Sequence, residues 1–396
     1  MIVTDEQEEL RRTVRALLER NPPARPAADG VPGYDEGAWR LLAGQVGAFG
    51  LAVPEEYGGA GCTPAETHIV CEELGRALTS VPYLGSAVLA TQALLACGTT
   101  APLPGLADGT LVGALAWAEN GTWDPAAIRT LATDGEPTAT RERTAEPAGG
   151  REPAAELVGV REPAAELVGV KEYVLDGARA DLFIVPARTR DGDLAVYAVE
   201  PSAPGVRVEP LVTLDRTRPQ ARVTFQAAPA RLLSTDGDRV CERLLAVAAT
   251  ALSAEQLGGA ARCLEMTVQY VKTREQFGRP IGSFQAVKHR LADLYVLVES
   301  ARSLSYDAAR ALAEDAPDLA VRASTAQAYC AEAFSAVAAE TVQLHGGIGF
   351  TWEHEAHLYF KRAHSSAHLF GTPTWHRTRL APTVLGPWPG DLSRRL

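Results

Sequence analysis

Apolar residues recur at helical spacing near both ends of the chain and at strand spacing in its middle. In Glu6–Arg20, Leu10, Val14, Leu17 and Leu18 share one helical face, so this segment predicts an amphipathic helix. Tyr34–Phe49 and Ala65–Ala77 predict two more, with Pro64 suited to a first turn. Val53–Gly61, between them, is rich in turn residues and reads as a loop. From about Leu111 the texture changes to short β-branched and aromatic runs: Leu111–Trp117, Leu167–Leu175, Leu182–Ala187, Leu194–Val199, Val206–Pro210 and Ala221–Phe225. Asp-Gly, Pro and Gly bound these runs, which predict a small antiparallel sheet or barrel. After about Asp236 the pattern is helical again, in Val240–Thr273, Ser283–Glu314 and Leu319–Leu344. Gly258 and Gly259 would let the first of these helices approach a neighbour closely. The layout predicts an N-terminal α-helical domain (1–110), a middle antiparallel β domain (111–232) and a C-terminal helical bundle (233–396).

Residues 151–160 and 161–170 are the same decapeptide, REPAAELVGV. Two copies are too few for a repeat architecture. The second copy runs into the strand ending at Tyr173-Val174, so the first is expected in a surface loop.

Composition narrows the function classes. Hydrophobic residues make up 46% of the chain and charged residues 22%, an ordinary globular balance. A net charge of -11 without a Lys/Arg cluster argues against nucleic acid as the main partner. No apolar run of about 18 or more residues is present, so no membrane span is expected. The first 20 residues carry charges of both signs and lack the apolar core of a signal peptide. Six scattered cysteines without a CxxC pair fit reduced thiols and a cytoplasmic location.

Two stretches carry the chemistry. In YVKTREQFGRPIGSFQ, Arg274 follows a long helix that Phe277-Gly278 then breaks. An arginine at such a turn can hold a phosphate by paired hydrogen bonds, or can serve as a surface ion pair. In VQLHGGIGF, Gly346 and Gly347 allow close backbone approach to a ligand, or cap the helix. Six of the eight histidines lie between His345 and His376. His364 and His368, four apart, could share a helix face at a zinc-compatible spacing, as could the pair His354 and His357, but no Cys or acidic ligand set accompanies them, and no metal is expected.

Together these stretches resemble the acyl-CoA dehydrogenase family over nearly the full chain. The resemblance rests on AVPEEYGGAG at 52–61, REQFGRPIGSFQ at 274–285, VQLHGGIGFTWEHE at 342–355 and FGT at 370–372. It implies the acyl-CoA dehydrogenase fold, its C-terminal part a four-helix bundle, with FAD at a subunit interface of a homo- or heterotetramer. Arg274, Phe277, Gln285, Gln343, Gly346 and Gly347 would then reach a neighbour's FAD, and Thr372 and Thr374 the adenosine half of the chain's own. The implied reaction, part of fatty acid metabolism, oxidises an acyl-CoA to its 2-enoyl form. A carboxylate takes the α-proton, the flavin takes the β-hydride, and an electron-transfer flavoprotein is the expected partner downstream.

The pattern breaks at the base. The family's usual glutamate, directly before the closing Gly-Thr, is here Phe370. The alternative place, 26 residues before the motif arginine, is Ala248 (274 − 248 = 26). Glu255 shares the face of Ala248 but sits about 10 Å further along the helix, and Glu242 about 120° around it. His368 is a weak candidate for a substitute base. The cradle for the flavin ring is altered too: Ala118-Glu119-Asn120 stands where Thr-Glu-Pro is usual, and Leu175 where a hydroxyl is expected. Tyr173 keeps a ring for stacking. Groups for a neighbour's FAD therefore survive, while those around the chain's own flavin ring are eroded. This asymmetry points to the base-less subunit of a heteromer, working beside a homologous subunit. The alternatives are a homomeric flavoenzyme with another base, and a non-enzymatic interaction subunit.

Overall fold

In the computed structural model, which describes residues 4–22, 33–134 and 165–386, five helices precede the first strand. These are α1 (Asp5–Arg20), α2 (Glu36–Leu41), α3 (Pro64–Ala77), α4 (Thr91–Ala96) and α5 (Leu103–Ala107). α1 buries Val14, Leu17 and Leu18, the face its periodicity predicts. α3 starts with a capping box: the Ala65 N–H donates to the Thr63 hydroxyl, and the Thr63 N–H donates to Glu66 at 2.9 Å. The single helix predicted over Tyr34–Phe49 is instead broken. α2 passes into a π turn at Leu42–Val46, and Gly47, in the left-handed region at φ 64°, leads into a 3-10 turn at Ala48–Gly50.

The β region holds β1 (Gly113–Leu115), β2 (Leu131–Asp134), β3 (Ala165–Leu175), β4 (Leu182–Arg188), β5 (Leu194–Val199), β6 (Val206–Pro210) and β7 (Gln220–Ser234). Pairing runs β4-β2-β3-β7-β5 and returns from β5 to β4, so the sheet closes on itself. Its ladders are antiparallel except where β4 meets β1 and β2, which are parallel contacts. β4 and β5 are buried on both faces, as their unbroken apolar runs LFIVPA and LAVYAV require. β2, a four-residue strand, and the second half of β7, where QAAPARLLS has neither β-branched residues nor alternation, were not legible. β7 reaches 15 residues because it serves β3, β6 and β5 in turn. The second decapeptide copy supplies the start of β3 from Ala165, and the first lies outside the described residues.

The C-terminal helices are α6 (Gly237–Thr273), α7 (Gln285–Ala313), α8 (Leu319–His345), α9 (Ala356–Ser366) and α10 (Pro373–Leu385). A short hairpin, β8 (Glu275–Gln276) with β9 (Arg279–Pro280), separates α6 from α7. By length and composition α6 could cross a membrane, yet its most apolar window is wholly buried inside the fold, as in a core helix. α7 and α8 run antiparallel, joined by Arg290–Glu340 at 2.8 Å, by the Cys330 thiol on the Ala301 carbonyl, and by Arg322–Asp307 at 3.0 Å. α6 and α8 run parallel: Gly259 abuts the Phe334 ring, and the Thr267 hydroxyl donates to that of Thr341 at 3.0 Å.

The chain divides into two compact units. One contains Glu6–Val70 and Thr79–Ala248, with a core that includes Leu167, Phe183, Val185, Tyr197 and Phe225. The other contains Cys71–Leu78 and the chain from Ala249 onward, with a core that includes Leu257, Val298, Phe334, Val337 and Tyr359. In the second unit α3 and α6 touch backbone to backbone. A Cβ on Gly258 would lie 1.9 Å from the Glu72 carbonyl, and one on Gly75 2.1 Å from that of Glu255. Glycine at both places is what lets the helices close.

Candidate functional site

One end of the helical unit gathers six of the residues singled out by sequence. Arg274 follows the last turn of α6, its N–H donating to the Tyr270 carbonyl at 2.8 Å. Gln285 opens α7, five residues before Arg290, and Gln343 lies three residues after Glu340 near the end of α8. The Arg290–Glu340 ion pair therefore brings Gln285 and Gln343 to the same end. Tyr270 stacks on His345 at 4.4 Å, which adds Arg274, Gly346 and Gly347 to that group.

This end is built to be open. Arg274 is exposed, and among the described residues its guanidinium has no hydrogen-bond or ion-pair partner. Gly346 adopts φ 62° and ψ −143°, a conformation essentially reserved for glycine. A Cβ on Gly346 or Gly347 would meet nothing within 4 Å, so backbone and open space face outward together. Phe277 forms the hairpin turn at φ 55° and is 91% exposed. Covering such a ring is worth roughly 1.5–3 kcal/mol, so it favours an occupant. A free cation beside bare glycine backbone suits a pyrophosphate.

Tyr173 lies in the other unit, where the β3–β7 register shifts between Lys171 and Val174. At φ 52° it occupies a left-handed conformation rare for an aromatic residue, and its ring is partly exposed. Two residues before it lies a buried ion pair that sequence reasoning missed. Lys171 is wholly buried, and its ammonium donates to the Trp117 carbonyl (3.2 Å), the Pro186 carbonyl (2.7 Å) and Glu119 (2.6 Å). All three ammonium protons are thus used. Glu119 also accepts from the Arg129 N–H at 2.6 Å and the Thr130 N–H at 3.0 Å. Burial works against the Glu119 charge, but the Lys171 charge and the Thr130 bonds outweigh it and hold the carboxyl below its usual pKa. Burial lowers the Lys171 pKa, with Glu119 opposing. Leu175, where a hydroxyl was expected, is buried hydrocarbon.

The two positions where a base was expected hold no carboxylate. Phe370 is buried at φ 56°, and Ala248 is fully buried. Glu255 is committed elsewhere, buried against Arg362 at 3.6 Å, and Glu242 is exposed. His368 is also exposed and lies beyond the end of α9, so the helix face it was expected to share with His364 does not exist. No group of three or more His, Cys, Asp or Glu side chains arranged to hold a metal occurs among the described residues. Thr372 caps α10, its hydroxyl accepting from the Trp375 N–H at 3.2 Å, and Thr374 is exposed in the first turn.

His376, on α10, is a fully buried histidine that sequence reasoning missed. It is completely inaccessible, and neither ring nitrogen has a hydrogen-bond partner among the described residues. Its Nε2 lies 3.1 Å from where a Gly371 Cβ would be. Burial, helped by the Arg379 charge and opposed by the Phe370 backbone, pulls its pKa down to about 4. In the unfolded chain it would take up a proton near pH ~6.5. Between those values only the unfolded state gains the proton, so stability falls as pH falls through this window. By pH 5 the expected loss is about 2 kcal/mol. His376→Gln should remove that part of the slope in denaturant titrations at pH 7 and 5, and an unchanged slope would refute the assignment.

The chain matches the family described as acyl-CoA dehydrogenase, N-terminal domain, over residues 4–109, and the corresponding C-terminal domain over residues 235–385. It is 40% identical over 391 residues to a Mycobacterium tuberculosis protein named acyl-CoA dehydrogenase IpdE2, covering 97% of this chain and 99% of that one. Among solved structures it is similar to the Tcur3481-Tcur3483 steroid ACAD, with a TM-score of 0.81 and 31% identity over 97% of this chain and 99% of that chain. It is also similar to the ChsE4-ChsE5 complex from Mycobacterium tuberculosis, with a TM-score of 0.81 and 29% identity over 98% of this chain and 99% of that chain.

Proposed function

Because the chain belongs to the acyl-CoA dehydrogenase family of FAD-dependent oxidoreductases, we propose that it acts in a heteromer as the subunit lacking the base. The reaction is the α,β-dehydrogenation of an acyl thioester. FAD, when bound, supplies the hydride acceptor, and a carboxylate must take the α-proton. The observation that carries the reading is the occupation of both base positions by buried hydrocarbon, Phe370 and Ala248. The open end with its uncommitted Arg274 supports it from the other side.

In this reading Arg274, with the backbone of Gly346 and Gly347, holds the pyrophosphate of FAD seated mainly on the homologous partner, flanked by Phe277, Gln285 and Gln343. Tyr173 is what remains of the cradle for a flavin ring, and Thr372 and Thr374 keep the groups expected to meet the adenosine half of FAD. Phe370 and Ala248 each put buried hydrocarbon where a base was expected. The partner contributes the glutamate, and an electron-transfer flavoprotein takes the electrons. Two solved relatives whose names pair two components, Tcur3481-Tcur3483 and ChsE4-ChsE5, support a heteromer. The first is named a steroid ACAD, so a polycyclic acyl thioester is the first substrate to try. A cytoplasmic location fits six cysteines that are all free thiols.

The FAD-to-chain ratio, measured by absorbance on protein purified alone and after co-expression with a homologous partner, tests this. Little flavin alone, and about one FAD per pair of chains with the partner, is the expected result for a shared interface site. One FAD per chain in protein purified alone, with turnover, would overturn the reading in favour of a homomeric enzyme with another base.

A further inference from the structure

The end of the helical unit that carries Arg274, Gly346 and Gly347 is assembled around one imidazole. His345, the last residue of α8, is 3% exposed and lies between two rings. Tyr270 of α6 stacks on it with centroids 4.4 Å apart and planes 27° apart, and His354, in the loop before α9, approaches with centroids 4.4 Å apart. Each neighbour is tied to a different segment. Tyr270 accepts the Arg274 N–H on its carbonyl at 2.8 Å. His354 accepts the Ala356 N–H on Nδ1 at 3.1 Å, at the start of α9. His345 itself leads directly into Gly346, and a Cβ on Gly349 would lie 3.0 Å from its own Cβ.

The hydrogen bonding selects one form of the ring. Nδ1 lies 2.7 Å from the Thr341 carbonyl, which can only accept, so Nδ1 carries the proton. Nε2 is then an acceptor in the neutral ring, and it is buried without a partner among the described residues. Burial disfavours the cation, a charge on His354 would add to that effect, and the Thr341 bond opposes it. Among the described residues, the titratable groups in ring contact with it are Tyr270 from α6 and His354 from the loop, while α8 contributes the Thr341 carbonyl. A phenylalanine could fill the stack but would leave the Thr341 carbonyl without this donor. An asparagine could supply the donor but not the stack.

We propose that His345 is the positioning residue of this cofactor-facing end, its neutral imidazole joining the last turns of α6 and α8 to the loop before α9. By holding these three segments it sets Arg274 against the Gly346–Gly347 backbone at the spacing a pyrophosphate needs. The proposal rests on the half-site reading for its ligand, though not for the ordering itself.

Two measurements separate these. Amide exchange on the isolated chain reads the ordering: His345→Ala should speed exchange across 345–351 and 270–278 by about tenfold. His345→Phe and His345→Asn should each restore part of that protection. Flavin retention by the co-expressed complex, followed from pH 7.5 to 5, reads the charge state. The wild type should release flavin on acidification, because protonation places a cation and a second donor in the stack. His345→Phe should flatten that profile while binding less tightly at pH 7.5. Unchanged exchange in His345→Ala, or the same acid release in His345→Phe as in the wild type, would overturn the proposal. A wild-type complex that never takes up flavin would instead overturn the half-site reading, and the exchange result would still decide the ordering role.

Discussion

Replacing Lys171 with methionine should lower stability by about 3–5 kcal/mol, because it leaves the Glu119 carboxylate buried without its counter-charge. The Trp117 and Pro186 carbonyls lose a donor at the same time. Lys171 has no exposed surface, so water cannot take its place without opening the barrel. The double variant Lys171→Met with Glu119→Gln should recover part of the loss, since a neutral amide tolerates burial better than an unpaired charge. Urea unfolding of the four species of the cycle measures this. A coupling near zero would show that the pair is not the clamp described here. The clamp also bears on function, because Tyr173 lies two residues beyond Lys171 and Ala118 and Asn120 flank Glu119. The Glu172 N–H donates to the Ala118 carbonyl at 2.8 Å, joining the two arms. A loosened clamp should therefore relax Tyr173 from its left-handed conformation.

Gly258→Val should yield little or no folded protein. Its Cβ would lie 1.9 Å from the Glu72 carbonyl and 2.9 Å from the Arg76 nitrogen, and these are backbone atoms that cannot rotate away. The helices would have to part, breaking the ties around Glu72, which bonds the Arg302 guanidinium at 3.0 Å and the Tyr306 hydroxyl at 2.6 Å. A loss above about 4 kcal/mol places such a change among the exceptional ones. Gly347→Ala is the control, because no atom lies within 4 Å of the added methyl. Soluble yield and thermal melting of the two variants check the contrast. Equal stability would mean that the α3–α6 contact is looser than the geometry states.

Much of the proposed site was legible because it is local. Arg274, Phe277 and Gln285 fall within twelve residues, and Gln343, Gly346 and Gly347 within five, so two short stretches were enough to carry the resemblance that marked them. The loss of a carboxylate at 248 and 370 is likewise a statement about residue identity, and no folding changes it. The His364–His368 pairing failed for a local reason of another kind. Spacing assumes a continuous helix, and α9 stops at Ser366. The helix expected over Tyr34–Phe49 broke where glycine made the left-handed turn available.

The sequence by itself determined the order of helical, β and helical segments, the buried face of α1, and which residue types stand at 248 and 370. Each depends on periodicity or residue type over a few turns of chain. Only the tertiary structure decided which polar groups are committed and which are open. Lys171 meets Glu119 across 52 positions, and Tyr270 meets His345 across two helices. Whether a charge is paired or exposed is a property of the surfaces that fold against it, and those lie far away in sequence. The same holds for β2 and the end of β7, which are strands because barrel closure gives their backbone groups partners rather than because their residues prefer that form. His376 shows the limit most plainly, since nothing in Thr-Trp-His-Arg marks a histidine that burial holds neutral.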